Sequence, residues 1–437
     1  WASRCELSAN RGPRSNTPMS AELAVAYDGE AMGHLVAEDT GGWAFVYRPE
    51  FLAQSPRGRM LSLNFPPRAQ AYRGPELTTL FRNLLPGGAI RRQLCQRLGV
   101  SEGNEFGLLG ALGGDCPGAL TLTPPTEQVR PRASVVRLFS EQELRHVVAA
   151  LPQQPLLSDV EGARFCLPGE RYKFPVQVEN DKLGVALGDI LSSHIVKPGR
   201  ADLRESVMNE AFCLELARAS GLATVDASVR HGAVTVLLVA RIDRRSRDGD
   251  WSAVHMEDLC QLRGVPPECS FEREGGLSFT DCIDAIRRYS CMPALDIRAF
   301  LHRVMLCYFI GDGAGHAKQL AVLHHAEGPR LAPIFGLMST HVYPELNRRL
   351  AMRIGGEDRP DWLLPARWRA AARDAGIRAS YVLELLREMA VELPDLAGSV
   401  AEDFQRRNGF AGIVRDIRRL IEQRARQVIV ALEAELT

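Results

Sequence analysis

The feature that most constrains the fold of this 437-residue chain is a change of pattern near residue 251. Before that point, segments with strand composition, such as FPVQV, LSSHIVKP and AVTVLLVARI, occur among helical ones. Beyond it, nearly every segment has the periodicity of a helix, as in FTDCIDAIRRYS and IRAFLHRVMLCYFI. A mixed part followed by a helical part predicts the α+β class, and the length is sufficient for two or three domains.

Shifts in composition divide the chain into four segments. We predict a disordered tail over 1–19, an α/β unit over 20–123 (the N-terminal unit), a mixed unit over 135–250 (the middle unit) and an all-helical lobe over 251–437 (the helical region). The tail is polar and rich in proline and serine, with Met19 as the natural start. The stretch TPPTEQVRPRAS reads as a linker between the first two units.

Three local patterns predict individual elements. LAVAYDGEAMGHLVAE predicts a β-hairpin around a Tyr-Asp-Gly turn. PELTTLFRNLLPGGAIRRQLCQRLGV predicts two helices separated at Pro-Gly-Gly. In the middle unit, ESVMNEAFCLELARAS predicts an amphipathic helix that ends at Gly221.

Composition narrows the classes of partner and compartment. Basic and acidic residues number 53 each, which argues against a dominant nucleic-acid footprint. The ten cysteines are scattered without a CxxC pair, so we predict buried thiols in a reducing cytosol and no metal site. The longest apolar runs, AVTVLLVA and VMLCYFIG, are too short to span a bilayer. The predicted location is therefore the cytoplasm.

Three stretches of the middle unit carry residues suited to nucleotide chemistry. Lys197 ends an apolar strand, and Glu210 follows on a helix, which is how protein kinases orient a phosphate-binding lysine. FCLPGERYKFPV contains a glycine loop whose N–H groups are suited to phosphates. VARIDRR lies at the end of the most apolar strand, the position of a hinge whose backbone contacts the edge of a purine base. Taken singly, each stretch is better explained by a surface lysine, a plain hairpin or a strand end.

The stretch IGDGAGHAKQ has the composition of a catalytic loop. Glycines that permit unusual backbone angles follow an apolar helix and surround Asp312, His316 and Lys318. The next segment, LAVLHHAEGPRLAPIFGLMS, predicts a short strand, a turn, a second strand and a second small loop. Kinase-like folds place their catalytic and metal-binding loops in this order.

With these motifs in this order, the chain resembles the HipA family, the bacterial serine/threonine kinase toxins of type II toxin–antitoxin modules. The resemblance covers residues 20 to about 375. It rests on FRNLLPGG, LLGALGGDCPGAL, SSHIVKP, NEAFCLELARASGL, LLVARIDR, VHMEDLCQ, GDGAGHAKQLAVL and RLAPIFGLMST. It implies a two-lobed kinase-like fold, a helix-turn-helix antitoxin partner, contact with operator DNA through that partner, and substrates that include an aminoacyl-tRNA synthetase.

The resemblance also implies where ATP would bind. The phosphate-covering loop falls on residues 168–173, the ATP-contacting lysine on Lys197 and the metal-binding loop on Phe335 and Gly336. The contacts implied in the phosphate-covering loop are Pro168, Gly169, Glu170, Arg171, Tyr172 and Lys173. Those in the adenine hinge are Ala240, Arg241 and Ile242, and those in the catalytic loop are His316, Ala317, Lys318 and Gln319.

The chain departs from the family pattern at the positions that carry the chemistry. Ala314 stands where family kinases have the aspartate that orients the substrate hydroxyl, Gln319 where they have a magnesium-binding asparagine, and Gly336 where they have a metal-binding aspartate. Cys166 matches the autophosphorylated serine, and Ala240 matches a hinge glutamate. Mg²⁺ requires oxygen ligands at short distances, and Gly336 offers no side chain.

The leading hypothesis is therefore a pseudokinase that acts by binding a partner, either a helix-turn-helix antitoxin-like protein or a related active kinase. One alternative is an active kinase in which glycines 313 and 315 let the loop rearrange and Asp312 replaces the missing carboxylate. Another is an ATP sensor that works without metal, supported by Lys197 and by Arg171 in the phosphate loop. ATP is thus a possible cofactor and Mg²⁺ a doubtful one.

Overall fold

The computed structural model describes residues 21–39, 41–54, 58–125, 135–247 and 250–435. The predicted tail over 1–19 and most of the linker lie outside these ranges. Strands and helices both occur within them, and helices dominate the last third of the chain, so the α+β class is confirmed.

The N-terminal unit is a five-stranded antiparallel sheet, in the order β4-β3-β2-β1-β5, with four helices. Its strands are β1 (Glu22–Tyr27), β2 (Glu30–Ala37), β3 (Trp43–Tyr47), β4 (Tyr72–Arg73) and β5 (Leu120–Thr123). Its helices are α1 (Pro49–Gln54), α2 (Pro75–Arg82), α3 (Gly88–Leu98) and α4 (Glu105–Leu112). The predicted break between two helices at Pro-Gly-Gly is confirmed by the gap between α2 and α3.

The predicted hairpin is confirmed in β1 and β2. Its two turn residues, Asp28 and Gly29, both have positive φ, 48° and 80°. A two-residue turn with two positive φ angles matches the right-handed twist of the strands, and Asp-Gly adopts it readily. Every second residue of β1 is buried, as the alternation of apolar residues requires.

The middle unit contains a six-stranded sheet in the order β10-β11-β9-β7-β8-β6, with antiparallel neighbours. Its strands are β6 (Val135–Leu138), β7 (Phe174–Glu179), β8 (Lys182–Leu187), β9 (His194–Pro198), β10 (Ala227–Arg230) and β11 (Val236–Ala240). Its helices are α5 (Glu141–Ala150) and α6 (Ser206–Ala219). A two-stranded ribbon, β12 (Arg244–Arg247) and β13 (Asp250–Ala253), leads into the next part of the chain.

Helix α6 forms where the sequence predicts it, but its predicted amphipathic character is wrong. Ten of its fourteen residues are buried, including the polar Asn209 and Glu210. The reason is tertiary: α6 is covered by α11 and α12 on one side and by β10 and β11 on another. Phe212 of α6 meets Phe404 of α11 edge to face, with ring centroids 5.7 Å apart.

The helical region consists of six helices and one small sheet among the described residues. The helices are α7 (Leu259–Arg263), α8 (Phe279–Tyr289), α9 (Pro293–Ile310), α10 (Pro365–Asp374), α11 (Ala379–Asn408) and α12 (Gly412–Glu433). The sheet is β14 (Met256–Asp258), β15 (Ala321–His325) and β16 (Gly328–Leu331). The region is therefore mostly helical, as predicted, but not all-helical. The strand–turn–strand prediction after IGDGAGHAKQ is confirmed by β15 and β16.

Strand β11 of the middle sheet is buried on both faces. Along β11, Val236 and Leu238 pack into a core shared with the N-terminal unit, whereas Leu237 and Val239 pack into the core of the helical region. Successive strand residues point to opposite faces, so β11 alone shows that the sheet lies between two cores. Lys197 pairs with Leu237 across β9 and β11, which places its side chain on the helical face.

The cysteines largely follow the prediction. Of the nine in the described ranges, seven are buried, Cys269 is half-buried and Cys291 is exposed. Cys291 is the exception because it lies in the short connection between α8 and α9 rather than inside a helix. None of the helices in the described ranges combines the length and apolar character needed to cross a membrane.

Four charged side chains form a buried cluster between the N-terminal and middle units. Arg241 reaches Asp115 and Asp243, each at 2.8 Å, and Arg244 reaches them at 2.6 and 3.0 Å. Ser192 donates to Asp115 at 2.5 Å. Burial acts to raise the pKa of Asp115, but the two arginines outweigh it and hold that pKa below its usual value. Two carboxylates facing two guanidinium groups leave this cluster with balanced charge.

Asp115→Asn tests whether this balance stabilises the fold. The substitution keeps the shape but leaves two buried arginines facing one carboxylate, so we expect the free energy of unfolding to fall by ~3–5 kcal/mol. Urea denaturation followed by circular dichroism measures the change. Asp226→Asn, which breaks an exposed ion pair with Arg218, is the control and should have no measurable effect. Equal stability of the two variants would contradict the assignment.

Candidate nucleotide site

Lys197 and Glu210 meet on the helical face of the middle sheet. The Lys197 Nζ lies 2.5 Å from Glu210 Oε1, and the other carboxylate oxygen of Glu210 accepts a hydrogen bond from Arg171. The Glu210 side chain is 3% exposed. Burial acts to raise its pKa, but Arg171 and Lys197 outweigh that effect and keep it below its usual value. The predicted strand lysine and helix glutamate thus form an ion pair, joined by a cation from the phosphate loop.

The phosphate loop, residues 168–173, lies against the N-terminal unit. The Gly87 N–H donates to the Gly169 carbonyl at 3.3 Å, and Tyr172 Oη lies 3.2 Å from Gln93 Oε1. The Glu170 carboxyl group covers Gly88, where a Cβ would approach it to 2.8 Å. The Pro-Gly-Gly break therefore both separates two helices and provides a surface without side chains for this loop.

Lys173 closes the phosphate loop on itself by donating to the Pro168 carbonyl. Burial, followed by the charges of Lys197 and Arg171, lowers the pKa of Lys173 to about 7. Its ammonium is thus poised to lose its proton near neutral pH. An anion placed between Lys173, Lys197 and Arg171 would favour the protonated form.

Two backbone N–H groups of the predicted hinge are already hydrogen-bonded within the protein. The N–H groups of Ala240 and Arg241 donate to the carbonyls of Asp226 and Ser193, at 2.8 and 2.9 Å. The Arg241 side chain is 2% exposed and belongs to the buried cluster described above. Ile242 packs against the helical core. The side chain of Arg241 therefore serves the contact between units.

The loop after α9 holds Asp312 in the interior. Gly311 ends the helix with φ 75°, and Asp312 accepts a hydrogen bond from the Ala314 N–H at 2.8 Å. Asp312 is 2% exposed, and burial raises its pKa to about 6. The Gly313 N–H donates to Thr340 Oγ1 at 2.8 Å, which fixes the loop from the other side. Asp312 thus orders the backbone of this loop.

Lys318 and His316 lie in different surroundings. The Lys318 Nζ donates to Asp258 Oδ2, Asn83 Oδ1 and the Asn83 carbonyl, at 2.8, 2.8 and 2.9 Å. An ammonium has three protons, so this group is fully hydrogen-bonded. The His316 ring lies edge-on to Phe271, 4.9 Å between centroids, and burial lowers its pKa to about 4. Ala317, which lies between these two residues in the sequence, is fully buried.

The two family metal positions face each other. A Cβ added to Gly336 would lie 3.9 Å from Cδ and Nε2 of Gln319, and nothing closer surrounds it. The carbonyl of Phe335 accepts from Lys197 at 3.4 Å, and Gln319 Oε1 lies 3.4 Å from Arg303. Lys197, Phe335, Gly336 and Gln319 therefore converge, but without a carboxylate. These residues do not fit Mg²⁺, which prefers several anionic or carbonyl oxygens.

One cluster outside this site was missed by the sequence reasoning. His255, Glu257 and His324 each offer a ligand atom, and these atoms lie within 4.8 Å of one another. The alternation His-x-Glu in one strand is the signal that could have suggested a shared face. Its third member lies 67 residues beyond Glu257, where no local pattern points to it.

Comparison with known proteins places this geometry in a family. Family models described as "HipA N-terminal domain" and "HipA-like C-terminal domain" match residues 23–123 and 165–397. A putative kinase, Y4mE, of Sinorhizobium fredii is 34% identical over 397 residues, covering 87% of this chain and 92% of its own. The serine/threonine-protein kinase toxin HipA of Shewanella oneidensis is 24% identical over 347 residues, covering 74% of this chain and 77% of its own.

The fold agrees with these matches. A solved structure of Shewanella oneidensis HipA, in complex with HipB and operator DNA, superposes with a TM-score of 0.82 at 22% identity, covering 94% of this chain and 98% of that one. The family models cover both the N-terminal unit and most of the remaining chain, and the predicted family is confirmed. This chain belongs to the HipA family.

Proposed function

We propose that this chain is a pseudokinase of a toxin–antitoxin type module, which retains the kinase frame and acts by binding a partner. The observation that carries the proposal is the meeting of Gln319 and Gly336 without a carboxylate between them. Ala314 likewise offers no group to orient a substrate hydroxyl. Phosphoryl transfer depends on positioning and on metal-borne charge, and both are weakened here.

The proposed partner is a helix-turn-helix antitoxin-like protein. Support comes from the Shewanella oneidensis HipA structure, which contains HipB and operator DNA. Acidic and basic residues of this chain balance at 53 each, so DNA would be reached through the partner rather than directly. A related active kinase is the other partner consistent with a frame that lacks its own chemistry.

A second candidate function is ATP binding without metal. The observation that favours it is the Lys197–Glu210 pair, which keeps a lysine at the place where kinases hold phosphates. Arg171 and Lys173 add two cationic side chains in the loop above it. In a nucleotide complex, Lys197 and these two residues would bind phosphate oxygens and supply charge that Mg²⁺ supplies elsewhere.

An active kinase that uses Asp312 has less support. Asp312 is 2% exposed and bonded to the Ala314 N–H of its own loop. Presenting its carboxylate to a substrate would require breaking that bond and the Gly313–Thr340 bond together. A Cβ at position 313 would also approach the Arg349 carbonyl to 2.8 Å, so this part of the loop is closely packed.

Restoring the family residues tests the pseudokinase proposal. We expect the wild-type chain to transfer no radiolabelled phosphate and to bind ATP with an affinity that Mg²⁺ changes little. The triple variant Ala314→Asp, Gln319→Asn, Gly336→Asp should bind Mg²⁺-ATP more tightly than ATP alone, since position 336 has room for a side chain. Calorimetric titrations with and without Mg²⁺ measure both, with Lys197→Met as a non-binding control. Robust wild-type transfer abolished by Asp312→Ala would overturn the proposal.

The pH dependence of ATP binding tests whether Lys173 belongs to the nucleotide site. Near neutral pH this lysine is partly unprotonated, and a bound phosphate would raise its pKa, so binding takes up a proton above pH ~7. ATP affinity should therefore fall as the pH rises from 6.5 to 8.5, by up to tenfold for each pH unit. Lys173→Arg stays charged and should lose this dependence. Lys182→Arg, on an exposed strand end, is the control. A pH-independent wild-type affinity would contradict the prediction.

Asp312→Asn tests whether the buried, ionised carboxylate of Asp312 lowers the free energy of unfolding. In the folded state the pKa of Asp312 is raised from 3.8 to about 6. Between pH 4 and pH 6 the folded chain therefore binds more protons than the unfolded chain, and the free energy of unfolding decreases as the pH rises through this range. Above pH 6 the cost is complete, so the variant should be more stable at pH 8, by up to ~3 kcal/mol, and the gain should shrink toward pH 4. Thermal denaturation measures it. The exposed Asp361→Asn is the control; destabilisation by Asp312→Asn at pH 8 would contradict the prediction.

A further inference from the structure

We propose that His255, Glu257 and His324 form a binding site for a transition-metal dication such as Zn²⁺, separate from the nucleotide site. The three side chains lie where the helical region meets the N-terminal unit. The site does not depend on whether the chain binds ATP or transfers phosphate.

The strand register brings these three residues together. Glu257 lies in β14, and His255 precedes it by two positions, so both side chains project from the same face. His324 lies in the neighbouring strand β15, and its N–H donates to the His255 carbonyl at 2.9 Å. The two imidazole rings meet edge to face with centroids 4.7 Å apart. One ligand atom from each residue lies within 4.8 Å of the other two.

The donor set selects the kind of ion. Two imidazoles and one carboxylate are typical ligands of Zn²⁺ and of similar first-row dications, whereas Mg²⁺ and Ca²⁺ take oxygen ligands. His324 Nε2 and Glu257 Oε2 are already 2.9 Å apart. That spacing is close to the separation of two ligand atoms that share an ion at ~2.0–2.1 Å. A bound dication would take the place of this hydrogen bond.

Without a bound ion, the carboxylate of Glu257 is buried and incompletely hydrogen-bonded. Glu257 is fully buried, the His324 side chain is 4% exposed, and no well-formed hydrogen bond reaches Glu257 Oε1 from the described residues. A buried carboxylate oxygen that accepts no well-formed hydrogen bond is costly, and a cation bound there would satisfy it.

The His255 ring contacts backbone groups through both of its nitrogens. Its Nε2 lies 3.1 Å from the Leu61 carbonyl, and the Ala119 N–H lies 3.4 Å from its Nδ1. An ion bound to one nitrogen would displace the contact of that nitrogen, and the contact of the other nitrogen would keep the ring oriented.

A metal at this site would join two parts of the fold. The Leu63 N–H donates to Glu257 Oε2 at 3.0 Å, and the Leu61 carbonyl provides a further oxygen beside His255. Strand β15, which carries His324, begins two residues after Gln319 of the catalytic loop. The ion would thus connect the N-terminal unit to the strand that leaves this loop, and its role would be structural.

Metal binding by the full chain tests the proposal directly. After treatment with a chelator, the protein should bind one equivalent of Zn²⁺ with a Kd of ~1 μM or below in competition with a chromophoric chelator, and its thermal midpoint should rise. Bound Co²⁺ should show the intense visible absorption of a tetrahedral or five-coordinate site.

Matched variants distinguish a metal-binding site from a cluster of buried hydrogen bonds. Glu257→Gln and His324→Ala should each lower Zn²⁺ affinity by at least tenfold. His325→Ala, at the next residue, where the side chain pairs with Arg245 instead, should bind like wild type. If Glu257→Gln does not fold, His255→Asn gives the same comparison. Failure of the wild type to bind one equivalent, or equal affinity in the His324→Ala and His325→Ala variants, would overturn the proposal.

Discussion

Burial of strand β11 on both faces of the middle sheet is the constraint on which the rest of the structure depends. Strand β11 directs Val236 toward the core shared with the N-terminal unit and Leu237 toward the helical core. Because Lys197 is the neighbour of Leu237, its ammonium must emerge on the helical side, under α6. A lysine there requires an acidic partner, and Glu210 of α6 provides it at 2.5 Å. The ion pair of the candidate site thus follows from the layering of the domain.

The same layering creates two further sets of buried charge. On the face toward the N-terminal unit, Asp115 and Asp243 balance Arg241 and Arg244, so four charges are removed from water as neutral pairs. At the catalytic loop, Lys318 is held by Asp258 and by the Asn83 side chain and carbonyl of the N-terminal unit. Removing one partner from either set would leave an unpaired charge, which costs far more than an exposed pair gains. The N-terminal unit therefore helps to order both the hinge and the catalytic loop.

This arrangement brings the residues of the candidate site together without a carboxylate at positions 314, 319 or 336. Position 336 faces Gln319, and a Cβ added there would lie 3.9 Å from the nearest atoms of that side chain, so the site has not closed around the glycine. Asp312 lies beneath the loop, where its carboxylate holds the Ala314 N–H. Arg171 shares Glu210 with Lys197 and so draws the phosphate loop toward the helical lobe.

Local features of this chain could be predicted from its sequence because their causes are local. The Asp28-Gly29 turn, the break at Pro-Gly-Gly and the strand end at Lys197 each depend on residues within a few positions, and the α+β order follows from periodicity. The absence of the family aspartates at positions 314 and 336 and of the family asparagine at position 319 is likewise a property of the sequence alone. Such patterns determined the family, the order of the elements and the positions of the candidate site.

Only the tertiary structure decided which side chains are partners. The all-round burial of α6, the inward position of Asp312 and the use of Arg241 in a buried cluster all depend on elements far away in sequence. The cluster of His255, Glu257 and His324 forms because β14 and β15 pair across more than sixty residues. Periodicity reports which face of an element is apolar, but the partner of a polar side chain is set by packing between elements, and that is where the sequence alone gave no answer.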